Sequence, residues 1–418
     1  MNVASGVRED RAPPEADRVN SRIYALWACL VYLAAPVTYV GVVQAALCDK
    51  LGASPTVANL PASLYLLGFA APLVVAWAVP QRYERVAAAA ANGLSCVMLT
   101  LVAAVLWLPA GNSLRIAAII GQGCTMGVTA STAQVFMLQC LCRGTNEAGR
   151  ARGFRWAFGA GPIAAVAGSL GAQYALEGGI PALAYPRDFA LLYSFGAVCL
   201  AVAAAGALRF KLPPAEEPPR LPMLKHVAAS VRSFAADRPL RRLWMAYVLW
   251  FTAVYAAPNF SLYTRELLRR DPKELSGLIM ALRFASKSAA GFLLASLILR
   301  RGARAPVVAA VLLTVAAAAW AGMVPGYLFL LAFALLGAGE LGGAYFPNYV
   351  AGVSLLAAGA RNQAVLALAT PAASFGPALH GLLTVRYGFG ASFVFAAVAA
   401  LGALVLVCTL PRGAGSKP

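Results

Sequence analysis

Charge is scarce in this sequence, and acid scarcest of all. Only 12% of its 418 residues are charged, 16 of them are Asp or Glu, and there are two histidines. A soluble domain carries about 25% charged residues on the surface it shows to water. A chain this long and this poor in charge has no polar exterior, so its exterior faces lipid. Catalytic signatures are missing as well. There is no H-E-x-x-H, no G-x-S-x-G, no pair of aspartates within the apolar segments and no G-x-x-x-x-G-K-[ST]. Zinc proteolysis, nucleophile-elbow hydrolysis and ATP-driven pumping therefore have no residues to carry them, and no enzyme is expected. Metal-ligand patterns are also lacking: Cys140-Leu-Cys142 has no second pair and no histidine nearby, and no metal or cofactor is expected. The cysteines sit in or beside apolar runs and read as small buried hydrophobes. There is no cleavable leader pattern: residues 1–22 are polar, with Arg8, Arg11, Arg18 and Arg22, and read as a cytoplasmic tail.

What the sequence has is hydrophobic length. Hydrophobic residues make up 61% of the chain and the mean hydropathy is +0.71. Apolar segments recur at 23–47, 59–79, 86–108, 114–138, 154–176, 189–208, 243–263, 275–299, 307–324, 327–349, 364–385 and 389–410. Each has the ~20 residues needed to cross a bilayer as a helix. Pro36, Pro162, Pro258 and Pro371 fall inside them and are tolerated where neighbouring helices satisfy the freed backbone groups.

The net charge of +18 does not point to nucleic acid, because the basic residues are spread over the loops instead of forming one patch. With the N-terminus inside, 24 of the 34 Lys and Arg fall in the tails and even-numbered loops and eight on the opposite side. This is the positive-inside pattern, and it places both termini in the cytoplasm. The eight include the cluster Arg269, Arg270 and Lys273, which runs against the pattern locally. The longest polar interruption, 209–242, is Pro-rich and basic and reads as a cytoplasmic linker. The expected organisation is an N-tail (1–22), a six-helix bundle (23–208), the linker (209–242), a second six-helix bundle (243–410) and a C-tail (411–418). The fold class is all-α, polytopic, with twelve transmembrane helices. The halves echo each other in Ile119–Val128 against Leu335–Ala344, and in Gly161-Pro162 against Gly376-Pro377, as in transporters built from repeats.

Several short motifs carry a resemblance. Trp77–Arg85 lies where a loop motif G-x-L-a-D-R-x-G-R-[RK] would fall, and it keeps Arg82 and Arg85; Leu299–Arg304 repeats the theme with Arg300 and Arg304. Ile119–Thr125 keeps Gln122 and Gly123 of R-x-x-Q-G-x-G, and Gly161-Pro162 is what stands of G-x-x-x-G-P-x-x-G-G. On these motifs and the six-linker-six layout the chain resembles the major facilitator superfamily over nearly its whole length, without resembling one subfamily. The resemblance implies alternating access, a cavity lined by spans one, four, seven and ten, and loop cations (Arg82, Arg85, Arg300, Arg304) that act as a cytoplasmic gate. Ile119 replaces the arginine of the fourth-span motif, and the loop motif lacks its Asp.

Ionisable groups inside a span are expensive and by default functional. The one carboxylate deep in an apolar stretch is Glu340, and span eight supplies Arg283 and Lys287 a turn apart. Glu340 lies ~13 residues into its span and Lys287 ~12 into its own, which puts them at similar depth. Two readings stay open: a proton-coupling site, or a permanent ion pair that fixes helix packing. Two cations against one carboxylate favour an anionic or zwitterionic substrate. Softer candidates for cavity walls are Gln122, Tyr32, Tyr39, Trp250, Tyr255, Asn259, Tyr345 and Asn348. His380 reads as a hydrogen-bonded structural residue or a proton relay. The expected function is secondary active transport of a small organic solute, coupled to protons through Glu340, by a monomer in a bacterial inner membrane. An uncoupled facilitator and a non-transporting receptor are the alternatives.

Overall fold

The computed structural model describes residues 14–145, 147–214, 222–353, 362 and 365–411, and among these there is no β-strand. This follows from the expected solvent: within hydrocarbon a chain must satisfy its backbone internally, and helices do so segment by segment. The helices are α1 (Pro14–Leu33), α2 (Ala35–Thr38), α3 (Val42–Lys50), α4 (Pro55–Gly68), α5 (Ala71–Ala78), α6 (Glu84–Trp107), α7 (Asn112–Gly144), α8 (Glu147–Leu176) and α9 (Arg187–Ala207). They continue with α10 (Met223–Ala236), α11 (Arg238–Val254), α12 (Ala257–Leu268), α13 (Pro272–Arg301), α14 (Arg304–Met323), α15 (Leu331–Gly339), α16 (Gly342–Val353), α17 (Ala369–Ala372), α18 (Gly376–Tyr387) and α19 (Phe389–Cys408).

Seven of the described helical stretches are long and apolar enough to cross a membrane: Glu84–Trp107, Asn112–Leu141, Arg187–Ala207, Arg304–Met323, Gly326–Val350, Val365–Tyr387 and Phe389–Cys408. The fifth and eighth expected spans lie in the continuous helices α8 and α13, and three others are interrupted. The first breaks at Ala34 and again between Tyr39 and Gly41, the second between Phe69 and Ala70, and the seventh at Tyr255 and Ala256. Pro36 and Pro258 lie in the first turns of α2 and α12, where a missing N–H costs nothing, whereas Pro162 sits within the unbroken α8. The last helix shows the packing rule most plainly. Val394, Val398, Leu401 and Val405 of α19 are exposed along one stripe, while Phe393, Ala396, Ala400 and Ala403 on the opposite side are buried. The exposed stripe is aliphatic and the buried side is mostly alanine, which lets helices approach, the arrangement expected in lipid.

Within the first part of the chain α6 packs on α7 and α9, and α1 on α8; in the later part α14 and α11 pack on α19, and α13 on α15. The two parts meet where α8 lies against α13 and α4 against α18. At the first of these seams a Cβ on Gly277 would stand 2.3 Å from the carbonyl oxygen of Ser169, so glycine lets the α13 and α8 backbones touch. The Gln173 carboxamide oxygen accepts there from the Gly277 and Leu278 N–H groups, at 2.8 and 3.0 Å.

Candidate functional site

Glu340 occupies a break. It is the residue after α15; its N–H bonds to the Leu336 carbonyl at 2.8 Å, and the chain then turns through Leu341 before α16 begins. The glycines around it are what allow this. A Cβ on Gly337 would come within 2.2 Å of the Arg283 carbonyl oxygen, so only glycine lets the α15 and α13 backbones approach at that point. That contact places the Glu340 carboxylate beside the Arg283 guanidinium. Arg283 Nε donates to Oε1 at 3.0 Å and its Nη2 donates to the same oxygen. Lys287, one turn on, reaches the other oxygen, Oε2, at 3.5 Å. All three side chains are largely buried, 10% exposed for Glu340, 12% for Arg283 and 17% for Lys287. The depth estimate put Lys287 level with the carboxylate; the tighter partner is Arg283, because the backbones touch at its own position.

The three charges line a cavity of about 220 Å³. Aromatic residues make up much of the rest of its wall, with Tyr39, Tyr65, Phe69, Trp250 and Tyr255 among them. Lys287 Nζ also lies 5.7 Å from the Tyr39 ring centroid and 5.9 Å from that of Phe284, within the range of cation–π attraction. A second cavity of about 150 Å³ shares Tyr39, Tyr65 and Gln134 with the first and is otherwise uncharged, lined by Trp27, Tyr32, Asn92 and Ser95 among others. Tyr32 stacks on Tyr39 at 5.8 Å.

The sequence-predicted residues thus divide. Tyr39, Trp250 and Tyr255 line the charged cavity and Tyr32 the second. Gln122 lines neither: it is fully buried, donating to the Val37 carbonyl at 2.8 Å and accepting from the Tyr193 hydroxyl at 3.0 Å. Asn259 is likewise spent on structure, receiving from Asn59 and donating to the His380 carbonyl, Thr384 and Ser392. Tyr345 is buried away from the charged cavity, and Asn348 is exposed outside it. His380 bonds Ser392 Oγ through Nδ1 and the Thr252 carbonyl through Nε2, both at 2.9 Å. A carbonyl only accepts, so Nε2 carries the proton and Nδ1 accepts from the serine. Of the loop cations, Arg304 donates to the Leu410 carbonyl at 2.7 Å, Arg82 lies over the Tyr83 ring, Arg85 is exposed, and the Arg300 side chain lies outside the described residues.

Two features escaped sequence reasoning. Gln134 is exposed at the junction of the two cavities; its signal was a further glutamine on the Gln122 helix. Glu84, which replaces a glycine of the loop motif, is buried and pairs with Arg143 at 2.5 Å. The carboxylate missing from one motif position is supplied at another.

One end of the molecule is bolted across its two parts. Asp49 Oδ1 accepts from Arg265 Nη1 at 2.8 Å, and Lys50 pairs with Asp271. Neighbouring residues of α3 thus carry opposite signs and meet opposite partners. Burial pushes the Asp49 carboxyl up, while Arg265 pulls against it. Deeper in, Asn59 donates to Asn259 at 2.8 Å and Ser63 Oγ accepts from the Ala378 N–H at 3.0 Å.

No family profile and no curated protein matches the chain. Its fold does match solved structures: a nucleoside transporter, NupG (TM-score 0.69, 13% identity, 93% of this chain and 98% of that one), and a D-xylose-proton symporter (0.68, 11%, 96% and 100%). The human organic anion transporter MFSD10 matches over 94% of this chain and 100% of that one (0.62, 17%). Among its described residues the regular structure is helical, and the chain is an integral membrane protein that shares the fold of these transporters.

Proposed function

We propose that the chain is a secondary active transporter that moves a small organic solute by alternating access and couples it to protons through Glu340. The observation that carries this is the Arg283–Glu340–Lys287 trio on the wall of a cavity in a transporter fold. The trio can take up a proton together with a ligand. Cations beside Glu340 favour the carboxylate, and burial favours the neutral acid. A negatively charged group arriving at Lys287 draws that ammonium from Oε2 and tips the balance towards protonation. The incoming negative charge and the proton cancel, so the cavity keeps its charge through the cycle. A zwitterion that offered its carboxylate to Lys287 would act in the same way. A proton symporter and an organic anion transporter among the structures of like fold are consistent with this reading.

In this reading the three interrupted helices and the continuous α8 and α13 complete twelve spans, 23–208 and 243–410 form two six-helix bundles around the 209–242 linker, and both termini are cytoplasmic in a bacterial inner membrane. The bolted end then faces outward, as a closed outer gate. One chain contains both halves, so a monomer suffices. The test is uptake into liposomes by the purified protein, over a broad panel of organic solutes and under imposed proton gradients. Proton-driven uptake of a member of the panel is expected. A protein that moves no solute under any gradient contradicts the proposal.

A further inference from the structure

The reading above leaves the substrate open between an anion and a zwitterion; the two cavities narrow it. Among the charged groups lining the first cavity, Arg283 and Lys287 face Glu340 alone, leaving one uncompensated positive charge in a mostly buried site. An unpaired buried charge is costly, and a ligand that neutralises it binds with that cost relieved. The two cations are not equivalent. Arg283 directs Nε and Nη2 at one carboxylate oxygen and a further nitrogen at the Met280 sulfur. Lys287 holds the other oxygen only at 3.5 Å and otherwise faces aromatic rings. Its three N–H bonds are therefore the ones with capacity for a ligand.

The space beyond Lys287 has a different character. Tyr39, Tyr65 and Gln134 are common to both cavities, and the second contains no charged residue. Asn92 there is already engaged, accepting from Trp27 at 3.0 Å and donating to the Ala88 carbonyl, and Ser95 bonds Thr129. With Asn92 and Ser95 engaged, this chamber offers mainly aromatic and aliphatic contact, with tyrosine hydroxyls and the exposed Gln134 amide among its other polar groups. A second cationic group on the ligand would find no carboxylate there, which disfavours a zwitterion with separated charges.

We infer that the substrate is an amphipathic organic monocarboxylate, its acid group on Lys287 and its apolar or aromatic body reaching past Gln134 into the Trp27 chamber. Arg283 acts through Glu340 and is a positioning residue. This rests on the transporter reading for its relevance, but its test does not depend on transport. The full-length protein in detergent is titrated with 4-phenylbutyrate, 4-phenylbutyramide, 4-phenylbutylamine and butyrate. Binding is followed by the fluorescence of Trp250 and Trp27, which line the two cavities, and by ligand-induced thermal stabilisation.

The phenyl carboxylate is expected to bind at least about tenfold more tightly than its amide and its amine, the scale of one charge-assisted hydrogen bond, and more tightly than butyrate. Lys287→Gln is expected to erase the preference for carboxylate over amide, and Lys287→Arg to keep it. Ala130→Trp, in the wall of the Trp27 chamber alone, is expected to weaken the phenyl ligand and leave butyrate unchanged. Equal binding of amide or amine by the wild type, a carboxylate preference that survives in Lys287→Gln, or no binding of either acid overturns the inference. Uptake assays separate the two levels. Proton-driven uptake of a neutral solute that is indifferent to Lys287→Gln removes this inference and keeps the transporter. Carboxylate binding without movement of any solute does the reverse.

Discussion

Removing the Glu340 charge is predicted to destabilise the protein far more than removing its closest partner. The reason is the sign of what is left behind. The native site holds two cations against one carboxylate. Glu340→Gln leaves two cations facing each other with no counter-charge, whereas Arg283→Met leaves Lys287 and Glu340 as a neutral pair. Two unit charges ~4 Å apart at an effective dielectric of ~20 interact by about 4 kcal/mol, and breaking a buried pair from one side costs about 3–5 kcal/mol. Glu340→Gln should fall in that range and Arg283→Met well below it. The double variant restores the native net charge with one cation fewer to desolvate, so it should recover most of the loss. The assay is thermal unfolding of detergent-purified protein, arranged as a double-mutant cycle. A Glu340→Gln variant no less stable than Arg283→Met, or a double variant whose loss is the sum of the singles, would refute the charge accounting.

Other outcomes follow from the same structure. Lys50→Glu should loosen the bolted end and raise maleimide labelling of the buried Cys48 about two- to fivefold, the scale of a partly exposed ion pair, and Asp271→Lys in that background should reverse it. Because burial raises Asp49 in the bolted form, that form holds a proton more readily than a hydrated open one. Its extra stability is present at low pH and lost as pH rises through the raised Asp49 value, so labelling should rise more steeply with pH in the wild type than in Asp49→Asn, which carries only the thiol's own pH dependence; equal slopes would contradict this. Gly337→Leu should cost about 1–3 kcal/mol by forcing α15 from α13, whereas Gly343→Ala, whose Cβ meets nothing nearer than 3.8 Å, should melt like the wild type. His380→Ala should lose about 1–3 kcal/mol by stranding the Ser392 and Thr252 groups yet leave the pH profile of transport unmoved; a shifted profile would restore the relay.

The charged trio was legible because an ion in an apolar run stands out at any register, and because chain depth can be counted from a loop. The all-helical membrane class was legible for a similar reason, since apolar length repeats along the chain. Which neighbour Glu340 would meet was not. That depends on Gly337 admitting the Arg283 carbonyl, and a glycine among many glycines announces nothing. Gln122 and Asn259 were natural candidates as polar groups in apolar helices, but so is any amide that ties two helices together. Only their partners, Val37 and Tyr193 for one and Thr384 and Ser392 for the other, tell the two uses apart. Gln134 lacked any mark beyond polarity. The breaks at Tyr39–Gly41 and Tyr255–Ala256 hide in sequence because hydropathy averages across them.

The coupling claim meets its most direct test in proton exchange. Purified protein in weakly buffered detergent is mixed with 4-phenylbutyrate while the pH of the solution is recorded, for the wild type and for Glu340→Gln. Proton uptake on binding by the wild type, absent in the variant although it still binds, is the result predicted for Glu340 as the coupling group. Equal binding by both proteins with no proton exchanged would mean that Glu340 only pins α15 to α13, and that the protein is an uncoupled facilitator or a receptor.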